Sequence, residues 1–205
     1  MRIIVVGATG TIGRPVAEAL AERHEVVRVG KRNGDFQVDA TDMGSVERLF
    51  RAAGPFDALV SLVGGAAFKP VAELRAEDFD FSYRNKLMGQ IHLVLAGLPH
   101  VRDGGSFTLT SGVLSTEPMP GSSAITLVNR ALEGFAFAAA LEMPRGVRIN
   151  VVSPPWVTET LEELGWDTSI GLPAARVAPA YVECVEGSRN GETLDARRFG
   201  PPPQD

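Results

Sequence analysis

Residues 2–13 read RIIVVGATGTIG, a continuous apolar run followed at once by a glycine-rich turn. The next stretch, RPVAEALAERH, places Val16, Ala17, Leu20 and Ala21 at helical spacing. A strand, a glycine turn and a helix in this order predict the first unit of a dinucleotide-binding fold. Glycines let the backbone approach a pyrophosphate, and the start of a helix offers free N–H groups. A tight turn that binds no ligand is the alternative.

The rest of the chain alternates between strand-like and helical runs. EVVRVG, DALVSLVG, GSFTLTSG and GVRINVVSPP predict strands, whereas DMGSVERLFRAAG, AEDFDFSYRNKLMGQIHLVLAGLPHV and residues 122–143 predict helices. Asp42 is placed to cap the second helix and Gly54 to end it. The last strand is expected in PAYVECVEG or in GETLDA. We therefore predict a Rossmann-type doubly wound parallel α/β fold, as a single domain over 1–200 with a loose tail at 201–205.

Composition limits the possible function classes. The 205 residues are 44% apolar and 22% charged, which is typical of one globular domain. The net charge is −5 with scattered Lys and Arg, so no nucleic-acid-binding surface is expected. The single cysteine, Cys184, excludes an internal disulfide, predicts no metal cluster and favours a reducing cytoplasm. No membrane association is expected, because the N-terminal apolar run is short and segment 122–143 is interrupted by charges.

The end of the second strand indicates which dinucleotide would bind. NAD sites usually carry an acid there, which holds the ribose hydroxyls. This chain has Gly30 at that place, followed by Lys31 and Arg32. Two cations beside an open ribose 2′ position favour a 2′-phosphate, so NADP(H) is the predicted cofactor. The alternative is that both cations decorate a surface turn.

These stretches together resemble the short-chain dehydrogenase/reductase family over nearly the whole chain. GATGTIG is similar to the family's cofactor turn, DATD to its adenine-contacting motif, DALVSLVGG to its DVLVNNAG stretch, and INVVSPPWVTE to the loop over the nicotinamide. The pattern and the resemblance imply cofactor contacts at Gly7, Thr9, Gly10, Thr11, Ile12, Gly13, Lys31, Arg32, Asp39, Ala40, Gly64, Asn129, Pro154 and Val157.

The catalytic residues implied by the resemblance are incomplete. FSYRNKLMGQ resembles the helix that carries the proton-relay asparagine, which maps onto Asn85, and LTSG resembles the strand end with the catalytic serine, which maps onto Ser111. The family's tyrosine and lysine are replaced by Ile125 and Asn129. Ile125 has no proton to give, and Asn129 has no charge that could shift a neighbour's pKa. The NKLMGQ stretch is similar to a subgroup that lacks the usual active-site residues.

Several other side chains are candidates for a role in the site. Ser111 is expected either to bind a carbonyl oxygen or to be a strand-end hydroxyl bonded to backbone, and Asn85 either to hold a water or to kink its helix. Lys86 is the nearby cation, but a solvated helix lysine is expected. Tyr83 lies about 160° from Asn85 on a helix and is not expected to replace the missing acid. Trp156 is expected to line a pocket for a small hydrophobic carbonyl compound.

Three functions fit this pattern. An NADP(H)-dependent oxidoreductase with a non-standard active site is favoured, with Ser111 orienting the substrate oxygen and Asn85 a water. A catalytically inactive NADP(H)-binding sensor or partner protein is the second hypothesis. An interaction subunit that binds no nucleotide is the third, and the intact glycine turn argues against it. A homodimer or homotetramer is expected, because LVNRALEGFAFAAALEM is apolar on more than one helix face.

Overall fold

The apolar runs of the sequence lie side by side in one parallel sheet. The computed structural model describes residues 1–200, and the predicted tail at 201–205 lies outside them. The strands are β1 (Arg2–Val6), β2 (Glu25–Gly30), β3 (Phe36–Gln37), β4 (Phe56–Ser61), β5 (Val101–Thr110), β6 (Arg148–Ser153) and β7 (Thr193–Asp195). The helices are α1 (Gly13–Ala21), α2 (Met43–Ala53), α3 (Ala76–Ser82), α4 (Gly89–Gly97), α5 (Ser123–Ala139), α6 (Thr158–Leu164) and α7 (Ala174–Glu186). The sheet order is β3-β2-β1-β4-β5-β6-β7 with parallel neighbours, which confirms the predicted doubly wound fold.

Both faces of the sheet are covered, because successive strand residues point to opposite sides. In β1, Ile3 and Val5 belong to the core that includes α1 and α7. Ile4 and Val6 belong to the core that includes α2, α4 and α5. Residues 3–6 of β1 are therefore all buried, and burial on both faces explains why the strand reads as an unbroken apolar run.

The ends of the elements follow the signals in the sequence. The side chain of Asp42 accepts a hydrogen bond from the N–H of Gly44 at 2.9 Å, and Gly54, with a φ of 74°, ends α2. Of the two candidates for the last strand, GETLDA contains β7. PAYVECVEG belongs to α7 instead, since Val177 and Tyr181 are buried at helical spacing. None of the helices within 1–200 is both long and apolar enough to cross a bilayer.

One long predicted helix is interrupted. A π-helical turn over Tyr83–Met88 joins α3 to α4. A π turn holds an extra residue, so it changes which side chains face the interior, and such turns occur frequently at functional sites. Lys86 and Leu87 are buried in consequence, whereas Asn85 is half-buried.

The glycine turn after β1 brings three backbone segments into contact. Gly7 has a φ of 90°, and a Cβ atom there would lie 2.7 Å from the carbonyl oxygen of Leu62, which follows β4. A Cβ atom at Gly13 would lie only 1.9 Å from the carbonyl oxygen of Gly7. The start of α1 therefore packs directly on the turn, at the point where the strand order reverses between β1 and β4.

The contact at Gly13 gives the first testable prediction. Gly13→Ala is expected to lower the free energy of unfolding by about 1–3 kcal/mol, because a methyl group has no room against the carbonyl of Gly7. Gly134→Ala in α5 is the matched control, since its Cβ would meet no atom within 4 Å. The control is expected to be neutral or up to about 1 kcal/mol more stable. Urea unfolding measures both, and equal midpoints for Gly13→Ala and wild type would contradict the prediction.

Candidate functional site

An outer cleft of about 300 Å³ lies at the carboxyl ends of β1, β2 and β4. Many of the residues predicted to hold a dinucleotide line it: Gly7, Thr9, Gly10, Lys31, Asp39, Ala40 and Gly64. The crevice outside the carboxyl ends of the strands, where the strand order reverses, is the usual ligand site of an open α/β sheet. The glycine turn and the end of β2 thus face the same cleft.

A second cavity of about 270 Å³, which we call the inner cavity, is lined by residues that follow β5 and β6 and by residues of α5. It is lined by the remaining inner residues predicted for the cofactor and by the candidate serine: Ile12, Gly64, Ser111, Asn129, Pro154 and Val157. Gly64 lines both cavities, so the two adjoin. Thr11, Gly13 and Arg32 line neither; Gly13 is buried under the turn and Arg32 is exposed after β2.

The end of β2 presents a cation and no acid. A Cβ atom at Gly30 would lie 2.3 Å from the carbonyl oxygen of Asn33, so the turn leaves no space for a side chain there. Lys31 Nζ lies 3.2 Å from Asp39 Oδ2, and the lysine side chain is 71% exposed. The pKa of Asp39 is lowered, chiefly by hydrogen bonds from Thr41 and further by Lys31. Lys31 therefore contributes an exposed cation to the outer cleft, in a solvent-exposed ion pair with Asp39.

Ser111 follows the end of β5 and lies at the inner cavity. Its hydroxyl donates to the Glu133 carboxylate at 2.9 Å, and Glu133 is 3.4 Å from Arg130. The partner of the hydroxyl is thus a side chain of α5 and not the backbone. The sequence analysis missed Glu133, although it stands four residues after Asn129 and so shares its helix face.

The two residues that the resemblance aligns with the family's tyrosine and lysine also lie on α5. Ile125 and Asn129 both line the inner cavity. Asn129 is 1% exposed, and its Nδ2 lies 3.4 Å from the Gly112 carbonyl oxygen. Its Oδ1 is buried and has no hydrogen-bond donor within residues 1–200. A buried acceptor without a partner calls for an explanation, and a hydroxyl or amide of a bound nucleotide would satisfy it. The residues present therefore fit a nicotinamide nucleotide.

Lys86 lies at the inner cavity, which corrects the expectation of a solvated lysine. It is 8% exposed, and burial lowers its pKa to about 8. Its ammonium group makes no hydrogen bond or ion pair with any residue in the described part of the chain. Asn85 instead lines the outer cleft and donates its side-chain amide to the Phe81 carbonyl at 2.9 Å. Lys86 on the π turn, and not Asn85, thus lines the cavity that Ser111 also lines.

Gln90 fixes the π turn to the end of β5. It is fully buried, and its Nε2 donates to the carbonyl oxygens of Thr110 at 2.8 Å and of Lys86 at 3.3 Å. Its Oε1 accepts from the N–H of Thr110 at 2.8 Å. The backbone that carries Lys86 and the backbone that leads into Ser111 are therefore joined by one side chain.

One aromatic residue lines the inner cavity, and two further aromatic rings pack against it. Trp156 lines the cavity, as the sequence predicts. Its ring centroid lies 5.9 Å from that of Phe68 and 5.3 Å from that of Trp166, and the latter two rings are 5.5 Å apart. Both tryptophans of the chain belong to this cluster. The cavity therefore combines one aromatic side chain and several aliphatic ones with few polar groups.

Neither tyrosine takes the place of the missing acid. Tyr83 is 49% exposed on the π turn and lines neither cavity. Tyr181 is fully buried in α7, where its hydroxyl lies 3.0 Å from Thr110 Oγ1. Burial raises the pKa of Tyr181 above its usual value, so it is a poorer acid than a free tyrosine. Among residues 1–200, no group of three or more His, Cys, Asp or Glu side chains is arranged to hold a metal ion.

The chain is similar to known proteins in both sequence and fold. The family model described as enoyl-(acyl carrier protein) reductase matches residues 4–170. The crystal structure of the protein lin1944 from Listeria innocua has a TM-score of 0.92 and 40% identity, covering 95% of this chain and 98% of that chain. A small-chain dehydrogenase in complex with NADPH has a TM-score of 0.85 and 24% identity, covering 95% of each chain. Hydroxynaphthalene reductase-like protein Arp2 of Metarhizium brunneum is 28% identical over 189 residues, 80% of this chain and 71% of that protein.

The bonds of Gln90 give the second prediction. Gln90→Leu is expected to lower the free energy of unfolding by about 2–4 kcal/mol, because it leaves the buried N–H and C=O of Thr110 without partners. Gln37→Leu is the matched control, since Gln37 is exposed and makes one bond, to the Arg32 carbonyl. It is expected to change stability by less than about 0.5 kcal/mol. Urea unfolding that gives the same loss for both variants would contradict this account.

Proposed function

Because the chain belongs to the short-chain dehydrogenase/reductase family, we propose that it is an NADP(H)-dependent oxidoreductase of small carbonyl compounds or alcohols. The proposal rests on the junction of the two cavities at Gly64. The outer cleft begins at the glycine turn, and the inner cavity holds a hydroxyl, a cation and an unpartnered amide oxygen. A dinucleotide that spans the junction would place its nicotinamide end where these groups converge.

The chain's own residues would bind the cofactor in two places. Gly7 and Gly10, with the start of α1, would hold the pyrophosphate through backbone N–H groups and the positive end of the helix dipole. Asn129 would accept a hydrogen bond from the nicotinamide ribose. When bound, a reduced nicotinamide supplies two electrons and a hydrogen to a carbonyl carbon.

NADP(H) is proposed over NAD(H) because the end of β2 carries cations and no acid. Lys31 and Arg32 would bind the 2′-phosphate, and Gly30 leaves the ribose 2′ position open. The pair of Lys31 with Asp39 is exposed, so its net stabilisation is small and a phosphate can replace the carboxylate. The complex of a small-chain dehydrogenase of the same fold with NADPH is consistent with this choice.

The preference for NADP(H) gives the third prediction. Lys31→Ala combined with Arg32→Ala is expected to weaken NADPH binding by about 10- to 100-fold, the loss of one to two charge-assisted contacts, and to change NADH binding little. Titrations followed by nucleotide fluorescence measure both. Arg51→Ala is the control, because Arg51 is exposed on α2 and pairs with Glu47 away from the cleft. Wild-type protein that binds neither nucleotide would contradict the proposed cofactor.

We propose a small, apolar, aromatic carbonyl compound as the substrate. The inner cavity has a volume of about 270 Å³, and Trp156 lies in its wall with Phe68 and Trp166 packed around it. Aromatic walls favour planar apolar ligands through offset or edge-to-face ring contacts. The hydroxynaphthalene reductase-like relative is named for an aromatic substrate, which supports this choice.

Ser111 and Asn85 keep the roles proposed from the sequence, with one condition each. Ser111 has a single proton to donate, and it now points to Glu133, so the hydroxyl must rotate to bind a carbonyl oxygen. Asn85 would hold a water in the outer cleft through its amide oxygen, because its amide N–H already bonds to Phe81. The tyrosine and lysine of the family are absent, so we place the chain with the members that lack them.

We also propose that the protein is a homodimer or homotetramer that pairs through α5. Leu127 and Phe137 are 53% and 68% exposed on this helix, although its other face is buried in the core. Large apolar side chains on two faces of a helix need a second surface to cover them. A two-fold pairing of α5 with its copy would supply that surface.

Turnover gives the fourth prediction. NADPH oxidation with a panel of small aromatic ketones and quinones is expected, and Ser111→Ala is expected to lower kcat/KM by about 10²-fold through loss of an oxygen-binding donor. Ser188→Ala, an exposed serine after α7, is the control. Tight NADPH binding without turnover of any compound would favour the second hypothesis, a binding protein without catalysis.

A further inference from the structure

We propose that Lys86 is the proton donor of this active site and supplies the proton that the family's tyrosine would give. The inference rests on the proposed function, because it concerns the same inner cavity. Lys86 stands on the π turn, on a different element from Ile125, so the donor has moved from α5 to the helix that faces it.

The surroundings of Lys86 support a chemical role. No other side chain that lines the inner cavity is charged; the polar ones are Ser111, Asn129 and Thr160. Glu133 lies behind Ser111 and is paired with Arg130. The cation therefore faces the substrate space with no carboxylate to neutralise it.

The charged and titratable groups on the elements packed around the π turn are either exposed or bonded elsewhere: Glu77, Asp80 and Arg84 are exposed, and His92 on α4 bonds to the Ala40 carbonyl. On α3, the Asp78 carboxylate accepts from Lys69 and from the N–H of Arg75. On α5, Glu133 holds Ser111 and Arg130. Burial alone lowers the pKa of Lys86, to about 8, with no contribution from a nearby charge. A pKa close to the working pH is what general acid–base catalysis requires.

The backbone around Lys86 is built to keep it at the cavity. Gly64 has a φ of 119°, and a Cβ atom there would lie 2.6 Å from the Cα of Lys86. Gln90 bonds to the carbonyl of Lys86 and to both backbone groups of Thr110. A buried lysine without a partner is costly to a fold, so its fixed place at a cavity shared with Ser111 indicates a function.

The reduction step balances with Lys86 as the acid. A bound reduced nicotinamide would supply a hydrogen with its two electrons to the carbonyl carbon, so that the π electrons of the C=O bond would move to the oxygen. An N–H bond of the Lys86 ammonium breaks as the O–H bond of the alcohol forms. The neutral amine then takes a proton from water. In alcohol oxidation the neutral amine accepts the proton, and the same bonds form and break in reverse.

Kinetics with matched variants tests the inference. Lys86→Met is expected to lower kcat/KM for carbonyl reduction by about 10²–10⁴-fold, while NADPH binding stays within a few-fold of wild type. Lys86→Arg keeps the charge but is too weak an acid to transfer a proton, so it is expected to lower kcat more than it raises KM. Lys69→Met, on an exposed lysine that pairs with Asp78, is the control. For the wild type, kcat/KM for reduction is expected to fall as the pH rises through about 8, because the donor is the charged form.

A titration supplies a readout that needs neither substrate nor a change at position 86. The chain has three lysines, so Lys31→Arg combined with Lys69→Arg leaves Lys86 as the only one. Its ¹³C-methylated amine is expected to titrate with a midpoint near pH 8 by NMR, and to shift when NADP⁺ is added. A midpoint near that of a free lysine would overturn the inference.

The outcomes separate this inference from the proposed function. Turnover that persists in Lys86→Met at more than about a third of the wild-type rate would leave an oxidoreductase with another acid, and the inference alone would fall. Wild-type protein that binds NADPH and turns over nothing would overturn both. Loss of turnover in Lys86→Met with NADPH binding retained, together with a midpoint near pH 8, is the result expected.

Discussion

The contact between Gly7 and Gly13 is the constraint on which the rest of this structure depends. The backbone of the turn lies so close to the first residue of α1 that Gly13 has no room for a methyl group, and at Gly7 the carbonyl of Leu62 leaves no room for one. This contact fixes α1 against the turn that follows β1, and Ile12, the residue before α1, lines the inner cavity. The positions of the neighbouring strands then follow from pairing with β1, which lies beside both β2 and β4. The contact between Gly7 and Gly13 therefore positions the helix and strands whose ends form the cavities.

The π turn determines which side chains of its helix line the two cavities. With an uninterrupted α-helix, a different side chain would face Ser111, and Lys86 would not be buried in the same way. The turn leaves an amide, Asn85, toward the outer cleft and an ammonium group at the inner cavity. Lys86 on the π turn and Ile125 on α5 thus line the same cavity from two different elements.

The sequence predicted the frame well and the interior of the site poorly, for physical reasons. Apolar runs such as RIIVVG and the caps at Asp42 and Gly54 are local signals, and local signals decide strands and helix ends. No short stretch of sequence signals the π turn, because one extra residue in a helix leaves the spacing of the apolar residues almost unchanged. The burial of Lys86 and the bond from Ser111 to Glu133 depend on the packing of separate elements, so spacing along the chain gave no indication of them.

The closed space at Gly30 has a consequence for how this protein can evolve. Any side chain at this position would meet the Asn33 carbonyl at 2.3 Å. A substitution to Asp or Glu at this position therefore also requires the backbone near Asn33 to shift. A descendant lineage would first have to rebuild the loop over residues 31–35, and only then would selection have an acid at that position to act on. The backbone of residues 31–35 therefore makes an acidic residue at position 30 depend on earlier changes in the loop.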